Sequence, residues 1–318
     1  MNLLVVIVNY KTADLTVDCL RSLAPQLATI DGTSRVVVTD NASGDGSVEK
    51  IQAAITENGW DWATLLPLPS NGGFAYGNNR AIEPALQGES KPDYVFLLNP
   101  DTVVLPGALK SLVDFMEAHP QVGIAGGRVV NPDGSVRNSA FRFHTVLSEL
   151  EGSIRLGVVT KALKKHVVAE RPPDEPAQVD WVSGASMIVR RDVFERIGLL
   201  DEQYFMYFEE TDFCLRAARA GWPTWYVPES RIVHLVGQSS GVTGVQRAAR
   251  RRPKYWFESR HHYFRRNHGA VKTLAADLLW TGGFAISNVL QKLRGRPRTD
   301  PPWLWWDFVR YSLTSWVK

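Results

Sequence analysis

The first half of the chain alternates short apolar runs with segments of helical spacing. Residues 3–8 are apolar without interruption, and shorter runs follow at 35–39, 64–68, 94–98 and 122–125. Between them Leu15, Cys19 and Leu23 recur every four positions. Leu109, Leu112, Val113 and Met116 follow Pro106 at helical spacing, so each set marks one face of a helix. Runs of this length without alternation predict strands buried on both faces. Strands separated by helices predict an α/β fold with a doubly wound, mostly parallel sheet.

In such sheets ligands bind beyond the carboxyl ends of the strands, and those ends are where the polar residues collect. The first run ends in Asn9-Tyr10 and the second in Asp40-Asn41-Ala42-Ser43. The third is followed by "SNGGFAYGNN" (70–79), and the fourth ends in Asn99-Pro100-Asp101. Four successive ends therefore face one crevice.

The pattern weakens over 131–180. "NPDGSVRNSAFRF" reads as a hairpin or loop carrying Arg137 and Arg142, and 161–176, which mixes charge and proline, reads as a loop. Regularity returns with a strand through 186–189 and a helix ended by Gly198. A second helix carries Phe213, Arg216, Ala217 and Ala220 on one face and stops at Gly221 and Pro223. A strand through 224–227 then leads to His234.

Each polar group has an ordinary reading beside a chemical one. Asp101 suits an Asn-Pro-Asp turn. It also suits a divalent cation on a diphosphate, which needs only one or two protein carboxylates. Asn99 could orient a water or a ribose hydroxyl. Asp40 reads as an Asx-turn or an N-cap for the helix after Gly46, or as a carboxylate accepting from a base or a ribose. "NGGFAYGNN" lacks a Walker lysine and a GxGxxG register, but its glycines permit close approach to a ligand, and Asn78 and Asn79 read as the start of a helix able to meet an anion. Glu209, Glu210 and Asp212 crowd a helix start. The macrodipole favours acids there by about 0.3–1 kcal/mol each, yet three together repel and should raise at least one pKa, as a general base near neutral pH requires. His234 follows Ile232-Val233 and precedes "GQSSG", whose donors suit phosphate.

Composition narrows the classes. Of 318 residues, 44% are hydrophobic and 22% charged, as in ordinary globular proteins. Two cysteines, Cys19 and Cys214, are too few for a disulfide framework and sit in apolar helical patterns, which suits core packing and a reducing compartment. No signal peptide is expected, because the 3–8 run is too short. The net charge of +3 hides an asymmetry. Residues 1–246 carry 21 Lys and Arg against 29 Asp and Glu, whereas 247–272 carry nine against one and 273–318 six against three. An acidic body with a basic tail argues against nucleic acid as partner and for an anionic surface.

Taken together, "VIVNY", "DNASGDGS", "NGGFAYGNN", "LLNPDTVV", "WVSGASMIVRRDVFERIGLLDEQYF", "FEETDFCLRAARAGW" and "VH" before "GQSSG" resemble the inverting glycosyltransferases of family 2. That family has the GT-A fold, and the likeness is to its rhamnosyltransferase-like branch. The resemblance implies a catalytic domain over 1–240, with a nucleotide-sugar-binding half (1–128) and an acceptor half (129–240), followed by a basic, Trp-rich helical extension (241–318). It makes Asp101 the ligand of Mn²⁺ or Mg²⁺ on the donor diphosphate. Asn99 stands where many relatives have Asp, and His234 is a further ligand. It makes Glu210 the base, with Glu209 and Asp212 beside it. Asn9, Tyr10 and Asp40 match nucleoside contacts, Asn71, Gly73 and Asn78 the donor loop, and Trp181, Ser183 and Gly184 the region where donor meets acceptor.

The implied activity is transfer of a sugar, L-rhamnose from dTDP-L-rhamnose, to a polyprenyl-diphosphate-linked saccharide in bacterial cell-surface polysaccharide synthesis. Alternatives are a UDP-galactofuranose or UDP-hexose donor, or a non-catalytic scaffold that binds sugar nucleotides. The enzyme would be cytoplasmic and peripheral on the inner membrane face. Residues 274–290 are at the lower limit for a span, whereas the tryptophans beside cations near the end of the chain suit an interface. Helices that close the domain or form a homodimer are the other reading of 247–318.

Overall fold

A computed structural model describes residues 1–235, 251–295 and 300–315. Strands β1 (Asn2–Asn9), β2 (Thr33–Asp40), β3 (Ala63–Pro67) and β4 (Tyr94–Leu98) are parallel, in the order β3-β2-β1-β4. Helices α1 (Ala13–Leu27), α2 (Ser47–Glu57) and α3 (Gly73–Gln87) make the crossovers. β1 is buried from Leu3 onward because helices cover both faces. Leu3, Val5 and Ile7 join one core cluster, and Leu4 and Val6 join the other.

After β4 come β5 (Thr102–Val104), α4 (Ala108–Ala118) and β6 (Ile124–Val130). α4 buries Leu109, Leu112, Val113 and Met116 on the sheet, as their spacing requires. The 131–180 region holds β7 (Val136–Arg137), β8 (Ala140–Phe141), α5 (Val146–Ile154), α6 (Gly157–Ala162) and β9 (Ala177–Val179). The expected loop at 161–176 is therefore partly helical, holding the end of α6 and a short 3₁₀ turn at Lys164–His166. Next are β10 (Trp181–Val182), β11 (Ser186–Arg190), α7 (Arg191–Ile197), α8 (Glu209–Arg219) and β12 (Thr224–His234).

The sheet continues from β4 as β11-β6-β12-β5, with β11 antiparallel to both β4 and β6 and β12 parallel to β6. It is thus mixed, and mostly parallel in its first half. β12 runs on through an irregularity between Val227 and Arg231, which lets one strand carry His234 to Thr102 of β5.

The C-terminal helices share a core with the rest of the protein. α9 (Lys254–Leu293) bends at Gly269, whose φ of +80° suits glycine, and packs along α5. α10 (Leu304–Ser315) packs on α9, Trp280 stacking on Phe308. Tyr263, Phe264 and Ala276 cluster with Tyr204 and Phe208. Arg260, 3% exposed, donates to Glu149 from α5 (2.8 Å) and to Asp277 across the bend (2.6 Å). Among the described residues no helix is long and apolar enough to cross a membrane, residues 274–290 included.

Candidate active site

The carboxyl ends of β1, β2 and β4 meet the start of α8 around one cavity of about 470 Å³. Tyr10, Asn41, Asn71, Gly73 and Phe74 form one wall. Asn99, Asp101, Ser183 and Gly184 continue the lining, together with Phe205, Tyr207, Glu209 and Glu210. His234, Arg252 and Tyr255 complete the rim.

The loops around the cavity have unusual backbones. Lys11, Ala42, Tyr207 and Phe208 all have φ between 54° and 72° without being glycine. Such residues cost free energy and concentrate at functional sites. Tyr207 and Phe208 immediately precede Glu209, so the strained turn aims the first turn of α8 at the cavity. Gly73 has φ +90°, and a Cβ there would collide with the Phe205 carbonyl. The neighbouring Phe74 N–H donates to that same carbonyl at 3.0 Å, tying the glycine-rich loop to the segment before α8.

Asp101, 2% exposed, lies just past β4, and its Oδ1 is 3.0 Å from Nε2 of His234. Asn99 Nδ2 is 3.4 Å from the same nitrogen. Among the described residues no third His, Cys, Asp or Glu joins this pair to make a protein-only metal cage. A carboxylate and an imidazole in contact in the cavity lining fit a cation whose other ligands come from a diphosphate. The "GQSSG" segment lies outside the described residues.

Glu209 and Glu210 open α8. Each has one buried carboxylate oxygen, Oε2, without a hydrogen-bond partner. Burial pushes the Glu209 carboxyl well above its ordinary range, and the Glu210 charge pushes it further. Burial also raises Glu210, but its own N–H and the Gly184 N–H donate to it and oppose the rise. The ionised form is therefore better supported at Glu210, which lies beside Gly184 in the cavity lining. A Cβ on Gly184 would sit 3.2 Å from the Phe74 ring.

Several expected site residues lie behind the wall. Asn9 is fully buried. Its Nδ2 donates to Asp40 (2.6 Å), and its Oδ1 accepts from Thr12 and Thr16. Asp40 also accepts from the N–H and hydroxyl of Ser43, three residues on, and so shapes the loop, while Asp45 makes an Asx-turn with the Ser47 N–H just ahead of the Gly46 N-cap of α2. Asn78 does not begin a helix: α3 starts at Gly73, and the Asn78 side chain, 1% exposed, donates to the Phe74 carbonyl within it. Asn79 instead binds Leu200 and Glu202. Trp181 stacks on Phe141 and donates to the Arg142 carbonyl, away from the cavity. Asp212 is held by Arg216 (2.8 Å), Asn267 and Tyr204, so it braces α8 and does not enter the cavity.

The sequence reading missed Asn41, Phe74, Phe205, Tyr207, Arg252 and Tyr255. Aromatic density in "YFMYF" (204–208) was the available signal for two of them. Arg252 and Tyr255 reach the cavity from around the start of α9, a long-range placement that spacing does not encode. Tyr255 packs on Phe205 and Tyr207.

Comparison with known proteins places this arrangement. The model of a family described as "Glycosyltransferase like family 2" matches residues 2–269. The chain is 32% identical over 238 residues to N-acetylglucosaminyl-diphospho-decaprenol L-rhamnosyltransferase of Mycobacterium tuberculosis, covering 71% of this chain and 75% of that one. It is 28% identical over 222 residues to rhamnosyltransferase WbbL of Escherichia coli K12, covering 68% and 78%. Among solved structures, a mannosyltransferase of Pyrobaculum calidifontis in complex with GDP-Man and Mn²⁺ superposes with a TM-score of 0.54 at 15% identity, covering 92% of this chain and 74% of that one. At that identity the likeness bears on the fold alone.

Proposed function

This chain belongs to the glycosyltransferase-like family 2 and is a hexosyltransferase, and on that premise we propose that it transfers L-rhamnose from dTDP-L-rhamnose to a saccharide hydroxyl on a polyprenyl-diphosphate carrier. The observation that carries the chemistry is the Glu210 carboxylate. It lines the same cavity as Asp101 and His234 and has one oxygen without a partner. Two rhamnosyltransferases among the relatives support the sugar, and one of them, named for a decaprenol-linked acceptor, supports the carrier. The nucleotide follows from the resemblance of the strand-end motifs to the rhamnosyltransferase-like branch. A carrier lipid sets the reaction at a membrane surface, and a nucleotide-sugar donor sets it on the cytoplasmic side.

Glu210 removes the proton from the acceptor hydroxyl; burial raises its pKa, the direction that makes a carboxylate a stronger base. The freed oxygen attacks the anomeric carbon from the side opposite the nucleotide and inverts it. Tyr10 and Asn41 of the cavity lining would take the nucleoside, and Asn71 and the Gly73 backbone would run along the donor. Asp101 and His234 would hold Mn²⁺ or Mg²⁺, which when bound supplies positive charge to the departing diphosphate. Arg252 brings a further cation to the same rim.

A panel of nucleotide sugars tests the reading. Thermal stabilisation and turnover should be greatest with dTDP-L-rhamnose in the presence of Mn²⁺. A larger response to UDP-galactofuranose or a UDP-hexose would reassign the donor. Binding without turnover on any lipid-linked acceptor would make the protein a scaffold.

A further inference from the structure

The second limb of α9, after the bend at Gly269, is built inside out. Its inward face buries Thr273, Asp277, Gly283 and Ser287 beside Ala276 and Phe284. Its outward face carries Val271, Leu274, Leu278, Ile286, Val289 and Leu293, from 46% to 83% exposed. Trp303, 66% exposed, and Trp306, 61% exposed, stand with Leu313 at and after the start of α10. These nine make up most of the twelve large apolar side chains that the described residues leave exposed. A surface helix normally has the opposite polarity.

The charges around this face identify what covers it. Between Lys272 and Lys292 the single charged residue is Asp277, which is buried and bound to Arg260. Exposed Lys272 closes one end of the stripe, and Lys292 and Arg294 close the other. The nearby carboxylates are engaged elsewhere: Asp300 by Arg155 and Asp307 by Arg251. A second copy laid on the same face, in either direction, would oppose cation to cation. An anionic lipid leaflet would meet the cations and the apolar stripe together.

We infer that the outward face of α9, from Val271 to Leu293, lies in the plane of an anionic lipid leaflet, with Trp303 and Trp306 at the headgroup boundary. The stripe is about 33 Å long at the rise of an α-helix. It cannot cross, because the inward face presents the Arg260–Asp277 pair to the protein core. Helices of this kind sink only their apolar face into the boundary. The other limb of the same helix carries Tyr255, with Arg252 just before it, to the cavity rim. The helix that lies on lipid thus also edges the site. The inference deepens the proposal of a lipid-carried acceptor and rests on it only for its purpose, since its observations concern the exterior of the C-terminal helices.

Cosedimentation of the full chain with vesicles tests it. The protein should pellet with phosphatidylglycerol–phosphatidylcholine vesicles and about tenfold less with phosphatidylcholine alone. The combined variant Leu278→Glu, Ile286→Glu, Val289→Glu should lose about tenfold or more of the vesicle affinity while keeping turnover on a water-soluble acceptor analogue. Brominated lipid should quench wild-type fluorescence, and Trp303→Phe with Trp306→Phe should remove that quenching even if the triple variant folds poorly. Three results would overturn the inference: wild-type protein left in the supernatant at low salt, vesicle binding indifferent to the triple variant, or a dimer that the triple variant dissociates with no vesicle binding in either form. Binding is read without turnover, so its failure and the failure of the donor assignment are distinguishable.

Discussion

Nε2 of His234 lies 3.0 Å from Oδ1 of Asp101, although 133 positions separate them. The antiparallel pairing of β12 with β5 sets His234 opposite Thr102 and so closes that gap. Asp101→Ala should weaken nucleoside-diphosphate binding by roughly tenfold or more with Mn²⁺ present and have a smaller effect in chelator. His234→Ala should do the same to a lesser degree. Titration calorimetry with and without Mn²⁺ checks both, and wild-type binding that is equally tight in chelator would refute the metal assignment.

Glu210→Gln should keep donor affinity and reduce kcat by about 10²–10⁴-fold, the range for loss of a general base. Glu209→Gln should cost far less. Steady-state kinetics with donor saturating decides between them. Near-normal turnover in Glu210→Gln would move the role to Glu209.

The same pair makes stability depend on pH. A carboxyl whose pKa is raised on folding binds more protons in the native than in the unfolded protein, so it lowers stability as pH rises above the unfolded value near 4.3. Glu209 is such a group, by burial and by the Glu210 charge. Glu209→Gln should therefore raise Tm at neutral pH, and the increment should shrink to nothing as pH falls below about 4. Melting curves across that range check the sign, and an increment that grows toward acid would contradict it.

Arg260 is 3% exposed between Glu149 and Asp277. Arg260→Ala would leave the buried Asp277 carboxylate without its partner and Glu149 with only His144, 3.5 Å away, and should destabilise by about 3–5 kcal/mol. Replacing all three by apolar residues of similar volume should recover most of that loss. Denaturant titration of the single and triple variants tests both statements. It also bears on the boundary expected at 240, because truncation after 272 would remove Asp277 and expose this core.

Arg252 lines the cavity and is also placed over the Trp256 ring. Arg252→Ala should weaken nucleoside-diphosphate binding by roughly tenfold without altering the Mn²⁺ dependence. Arg252→Lys should restore part of the affinity. Binding unchanged in Arg252→Ala would remove it from the donor site.

The strands of the first half were legible because they are buried on both faces, and residues 94–98 and 3–8 therefore carry no alternation to misread. The crevice was legible for the same reason, since polar residues stand out where such runs stop. Asp212 misled because helix-start acids look alike in sequence. The one that points inward is distinguished only by Arg216 one turn later and by Asn267, far along the chain. Asn78 misled because Gly72 and Gly73 are poor helix formers, which hid a helix that begins among them. Tyr255, Arg252 and the antiparallel strand β11 depend on packing between distant segments, and no local period reports that.

The position of β11 governs how the chain must be made. β4 is complete at Leu98, but its neighbour on that side, Ser186–Arg190, follows about 90 residues later in the chain. At a synthesis rate of 5–20 residues per second, the apolar edge of β4 waits unpaired for roughly 4 to 18 s on the ribosome. An open strand edge of that kind is a template for pairing with another chain. During that interval of synthesis the β3-β2-β1-β4 unit is therefore an aggregation-prone half-sheet. Its yield in a cell should depend on whatever shelters that edge until β11 arrives, and slowing translation between residues 98 and 186 should lower the soluble fraction.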